Sequence, residues 1–121
     1  MRLRAIRGAI TVEDNDAEAI VAATEELVGA VVEQNAVAVE DMVSCIFTCT
    51  GDLNAEFPAV AARRLGLAAV PLLCAREIDV PDSMPRVIRL MLHCYGPASL
   101  RPRHVYLREA SALRRDLSEA Q

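Results

Sequence analysis

The sequence predicts an α+β domain, a mixed five-stranded sheet packed on one long helix plus a short helix. Three observations carry this prediction. Apolar residues fill 53% of the 121 positions, too large a share for a disordered chain. One long stretch, Ala17 to Gln34, repeats its apolar residues at helical spacing. The other apolar runs are short, bounded by Gly, Pro, Asn or Asp, and read as strands. With no repeat and no low-complexity linker, the chain 1–121 reads as one domain large enough to bury a core.

The first strand runs from Arg2 to Ile10, with Thr11 and Val12 extending it, and Glu13-Asp14-Asn15-Asp16 breaks it. Asn15 or Asp16 can cap the helix that follows, and Glu18 lies at capping-box spacing from Asn15. In that helix Ile20, Leu27, Val28, Val31 and Val32 share a face, and Asn35 suits its C-terminal cap. Residues 37–41 connect to a second strand, Met42 to Thr50, and Gly51 to Asn54 reads as a loop. Pro58 opens a short helix that reaches Leu65 and stops at Gly66. Val70 to Cys74 is a short strand whose Pro71 argues for an edge or an end. A breaker-rich turn through Pro81 and Pro85 leads to the strand Arg86 to Cys94, and Arg103 to Leu107 is the last strand. Ala110 to Gln121 reads as a polar, less ordered tail anchored by Leu113 and Leu117. Five strands against one long helix leave a sheet face without cover, which predicts an oligomer.

Composition excludes several function classes. All thirteen basic residues are arginine, as GC-rich coding would produce, and the net charge is -4 without a basic, aromatic-rich cluster, so nucleic acid is not an expected partner. No apolar run approaches the roughly 20 residues of a membrane span, and Met1 to Arg4 does not open a signal peptide. A cytoplasmic setting follows, with Cys45, Cys49, Cys74 and Cys94 reduced and, for Cys45, Cys49 and Cys94, buried as small hydrophobes. There is no glycine-rich phosphate loop, no Ser/His/Asp signature and no metal-ligand spacing, so no metal or cofactor is expected. His93 and His104 are isolated, and a lone strand histidine is more often structural or exposed than catalytic.

The remaining candidates suit the binding of a small dianion. Arg89 sits in an apolar strand, sharing a face with Val87 and Met91. Its charge is permanent, so it needs solvent, a carboxylate of the chain such as Glu77 or Asp79, or an anionic ligand. Arg7 interrupts an uncharged run and is either a binding residue or an exposed edge position, and Gly8 beside it allows close backbone approach. Tyr106 alternates out of phase with Val105 and Leu107, lining a cleft or packing on the sheet surface. Phe57-Pro58 is on its own a helix start, and Glu77 a turn carboxylate.

Arg4-Ala5-Ile6-Arg7-Gly8-Ala9-Ile10-Thr11-Val12 resembles the opening of the monofunctional chorismate mutases of the trimeric pseudo-α/β-barrel class. So do Asp52-Leu53, Phe57-Pro58-Ala59, Arg63, Val70-Pro71-Leu72, Cys74-Ala75-Arg76-Glu77, Arg86-Val87-Ile88-Arg89, Arg103-His104-Val105-Tyr106-Leu107 and Leu113-Arg114. The ordered set, from about residue 2 to residue 117, is what is specific. The resemblance implies an isomerase that rearranges chorismate to prephenate for phenylalanine and tyrosine synthesis, as a homotrimer with sites at subunit interfaces. It implies that Arg89 faces the ether oxygen and that Arg7 and Tyr106 bind carboxylates. Glu77 and Cys74 would hold the ring hydroxyl and the enolpyruvyl side, flanked by Leu73 and Ala75, with Phe57 packing on the substrate. Arg63 and Arg114 would close the mouth. Val60 stands where some members carry lysine, Leu73 where some carry a polar residue, and Arg115 where proline is common. Two other readings share this architecture: a trimeric module that binds an anionic metabolite without catalysis, and an imine or enamine hydrolase.

Overall fold

The computed structural model describes residues 1–113. The strands are β1 (Arg2–Thr11), β2 (Met42–Cys49), β3 (Leu72–Arg76), β4 (Val87–Gly96) and β5 (Val105–Leu107); the helices are α1 (Ala17–Asn35) and α2 (Ala59–Arg64). The sheet order is β3-β2-β4-β1-β5. β4 pairs antiparallel with β1 and β2, while the two outer pairs, β2 with β3 and β1 with β5, are parallel. The sheet is therefore mixed, as the order of elements predicts. The single-domain reading and the tail beyond residue 113 extend outside the described residues.

Strand and helix ends move by one to a few residues from the expected ones, each for a local reason. Asp16 rather than Asn15 caps α1, its carboxylate accepting from the Ala19 N–H at 3.0 Å. Asn15 is engaged elsewhere, its Oδ1 accepting from the backbone of Asn54 and Ala55. The predicted capping box at Asn15 and Glu18 does not form. At the other end Ala36 takes the left-handed cap, with φ 50°. Asn35 stays in the helix and uses its buried side chain differently: Nδ2 donates to the Val31 and Arg103 carbonyls, and Oδ1 accepts from Arg103 N–H at 2.7 Å. β3 starts after Pro71, at the sheet edge that the proline predicted. β4 starts at Val87 because Arg86 is left-handed, φ 49°, with its N–H held by the Asp52 carboxylate at 3.0 Å.

α1 and α2 bury one face of the sheet. Ile6 and Ile10 of β1, Phe47 of β2, and Ile88, Leu90 and Leu92 of β4 meet Ile20, Leu27 and Val31 of α1 and Ala59 and Ala62 of α2. Gly8 lets α1 approach. A Cβ there would lie 3.1 Å from Leu27, 3.2 Å from Val31 and 3.3 Å from Leu90. Among the described residues, only a small second cluster sits on the opposite face, where Ala9, Val87 and Ala110 are buried with Met84, Tyr106 and Leu113 around them. Among the described residues the rest of that face is uncovered, with Leu3 54%, Tyr95 49% and Leu73 61% exposed.

Candidate active site

Strand register decides which side chains share the open face, because paired residues point to the same side. Ala75, Thr48, Arg89, Ala9 and Tyr106 form one row across all five strands. Leu73, Ile46, Met91 and Arg7 form the next. Small Ala9 separates Arg89 from Tyr106, and a cavity of about 380 Å³ opens above the rows. Arg7, Thr48, Arg89 and Tyr106 line it over an apolar floor that includes Ile46, Met91 and Leu113. That volume lies within the range of small-molecule sites, roughly 300–1,000 Å³.

Arg89 has two of the three surroundings that its permanent charge allows, a carboxylate and solvent. Its Nη1 pairs with Glu77 Oε1, and its side chain is still 41% exposed on the cavity wall. Glu77 is 13% exposed, and its second oxygen accepts a 2.7 Å bond from the Thr48 hydroxyl. The Glu77 backbone is fixed by its N–H to the Cys49 carbonyl at 2.9 Å. The pair is thus partly solvated, which limits its stability contribution to at most about 1 kcal/mol. Held in place on Glu77 and Thr48, the guanidinium still presents donors to the open side. Asp79, the other partner considered, makes no ion pair with Arg89 among the described residues.

Arg7 is half-buried on interior strand β1, which removes the reading of an exposed edge position. Its backbone N–H donates to His104 Nδ1 at 3.0 Å. Burial, and then the Arg7 guanidinium, hold the His104 pKa below its ordinary 6.5.

A second cavity, about 410 Å³, lies beyond the ends of β2 and β3 and is lined by Cys49, Cys74, Ala75, Arg76 and Phe57 among others. Cys74 pairs with buried Phe47, so it faces away from the row that carries Arg89. Phe57 is 67% exposed. Arg63 is exposed at the end of α2, and Leu73 on the open face; neither lines either cavity. Arg114 lies outside the described residues. One chain therefore gathers Arg7, Arg89 and Tyr106 at one cavity, with Glu77 joined to it through Arg89, and leaves Cys74, Phe57 and Ala75 around a neighbouring hollow. Burial and the nearby Cys74 push the Cys45 and Cys49 thiols up to about 12, which keeps them protonated and unreactive. Cys94 is likewise raised by burial, and all four cysteines are free.

Thr48 and His104 are the contributors that residue type alone conceals. The signal for Thr48 is alternation, since Cys45 and Phe47 point inward and their neighbours Ile46 and Thr48 outward. No group of three or more His, Cys, Asp or Glu residues among those described could hold a metal ion, and no described helix is long and apolar enough to cross a membrane.

A family model for chorismate mutase type I matches residues 3–117. The chain belongs to the type I chorismate mutases. It is 52% identical to chorismate mutase AroH of Thermus thermophilus over 121 residues, covering 98% of this chain and 99% of that protein. It is 40% identical to chorismate mutase AroH of Bacillus subtilis over 120 residues, covering 98% of this chain and 94% of that one. The fold of this type I chorismate mutase superposes on the chorismate mutase Cth-682 from Clostridium thermocellum with a TM-score of 0.87. The two are 45% identical, and the match covers 90% of this chain and 98% of that structure. As a family member the protein is an isomerase.

Proposed function

We propose that the protein converts chorismate to prephenate in the cavity on the open sheet face, within aromatic amino-acid biosynthesis. The observation that carries this reading is that two guanidiniums, Arg7 and Arg89, line one apolar-floored hollow with Tyr106. The substrate is a flexible dicarboxylate. Its rearrangement breaks the ether C–O bond and forms a C–C bond in one cyclic step, so no base, nucleophile or metal is required. Catalysis then consists of holding the compact conformer and stabilising charge on the ether oxygen. Arg7 and Tyr106 bind the carboxylates. Arg89, oriented by Glu77 and Thr48, donates to the ether oxygen as it becomes negative. Glu77 also accepts from the ring hydroxyl.

Cys74, Leu73, Ala75 and Phe57 supply the remaining wall, and Arg63 and Arg114 close the mouth. In one chain these residues do not surround the Arg89 cavity. A homotrimer that covers the open face with a neighbouring copy brings the two groups together at each interface. The architecture becomes the pseudo-α/β barrel that the resemblance implies. Neither a non-catalytic anion-binding module nor an imine hydrolase is favoured by the family match.

The test is direct. Purified protein without added metal or cofactor should deplete chorismate, followed by its ultraviolet absorbance, with prephenate as the product by chromatography. Turnover no faster than the uncatalysed reaction would overturn the proposal.

A further inference from the structure

We propose that His104 is a positioning residue for the substrate-binding end of the site: as a neutral imidazole protonated on Nε2, it sets where Arg7 and Tyr106 stand. This rests on the reading that the cavity binds chorismate.

β5 is an edge strand of three residues, too short to hold itself firmly. Its pairing with β1 begins at Gly8 and Val105. One residue earlier the acceptor for the Arg7 N–H is the imidazole Nδ1, at 3.0 Å, in place of a strand carbonyl. The preceding residue, Arg103, is gripped through both its N–H and its carbonyl by Asn35 of α1. Side chains therefore set the approach to β5 on both sides of the strand start. His104 bonds the backbone of one cavity residue, Arg7, and lies two positions before another, Tyr106.

A nitrogen that accepts from an N–H carries no proton, so this bond fixes both the charge and the tautomer. Protonation would set an Nδ1–H donor against the Arg7 N–H donor and a second positive charge beside the Arg7 guanidinium. Burial and that guanidinium both disfavour the charged form. From β1 the charged group acting on the ring is Arg7; the adjoining Arg103 is clasped by the uncharged Asn35 of α1; among the described residues no carboxylate acts on the ring to oppose them. Acid therefore breaks the link between β1 and the start of β5. Arg7 and Tyr106 are the groups displaced, and they hold carboxylates and do not touch the ether oxygen. The loss falls on KM, with kcat largely retained.

The experiment measures kcat and KM for chorismate from about pH 5 to about pH 8 in the wild type, His104→Asn and His104→Leu. The wild-type KM should rise toward acid. Asn offers Oδ1 where His offers Nδ1 and does not titrate, so His104→Asn should keep the neutral-pH KM and flatten the acid rise. His104→Leu should raise KM about three- to ten-fold at neutral pH, the scale of one lost hydrogen bond. An unchanged acid rise in His104→Asn, or an unchanged KM in a folded His104→Leu, overturns the proposal. Nitrogen-15 NMR of the wild-type ring decides the matter without turnover. An Nε2–H tautomer whose titration moves the Arg7 amide signal supports it, and an Nδ1–H tautomer at neutral pH overturns it. Failure to consume chorismate would count against the proposed reaction and leave the NMR result standing.

Discussion

Arg89 carries a charge it cannot shed, and the chain gives it a carboxylate partner without enclosing it. A dry, fully paired guanidinium would have its donors spent on structure. Here Glu77 and Thr48 fix its position and solvent reaches the rest of it. Arg89→Gln is expected to lower kcat by about 10²–10³, the cost of losing one transition-state donor, with a smaller change in KM. Steady-state kinetics check this, and a change in KM alone would make Arg89 an anchor only. The sequence made Arg89 visible because a guanidinium stands out in an apolar strand. It left the partner open between Glu77 and Asp79, since strand alternation says nothing of where a following turn places its carboxylate. Thr48 was hidden by its neutrality: a threonine in a strand is ordinary until its hydroxyl is seen on Glu77 Oε2.

Elements are placed by contacts that periodicity reads well and by caps that it reads less well. α1 is legible because its apolar stripe repeats over 19 residues, and β4 because its inward residues alternate cleanly. Of the two caps the sequence offers, Asp16 is used because Asn15 finds loop partners at Asn54 and Ala55, a choice made by tertiary structure. Asn35 looked like a helix terminator and instead reaches across to residue 103. Gly8 allows the close approach its residue type suggests, for it is where α1 rests on β1. Gly8→Val should destabilise the fold by about 1–3 kcal/mol, the usual cost of overpacking, seen as a lower midpoint in denaturant unfolding. An unchanged midpoint would mean that α1 can lift away without penalty.

For the whole molecule, the open face matters most. Leu3 and Tyr95 pair directly and are about half exposed, well away from Arg89. If that face meets a neighbouring copy, replacing both residues by glutamate buries two charges at the interface. Sedimentation should then read a trimer for the wild type and smaller species for the variant, with activity lost alongside. A variant that remains a fully active trimer would show that this end of the face stays outside the interface. The uncovered face was legible by counting, since five strands exceed what one long helix can cover. How the site residues divide between two hollows was not, because it depends on register: Cys74 opposite Phe47 faces one way, and Ala75 opposite Thr48 the other.

The sheet order β3-β2-β4-β1-β5 places the first strand of the chain between the last two. Arg2 lies opposite Gly96, and Ile10 lies opposite Leu107. Contacts so far apart in sequence give the chain a high contact order, and loop closure must precede any reward from them. During synthesis β1 emerges before both of its neighbours and waits until β4 and β5 have followed. Arg7 and Arg89 cannot meet over one cavity before then, so the hollow they share is among the last features of this chain to form as it folds.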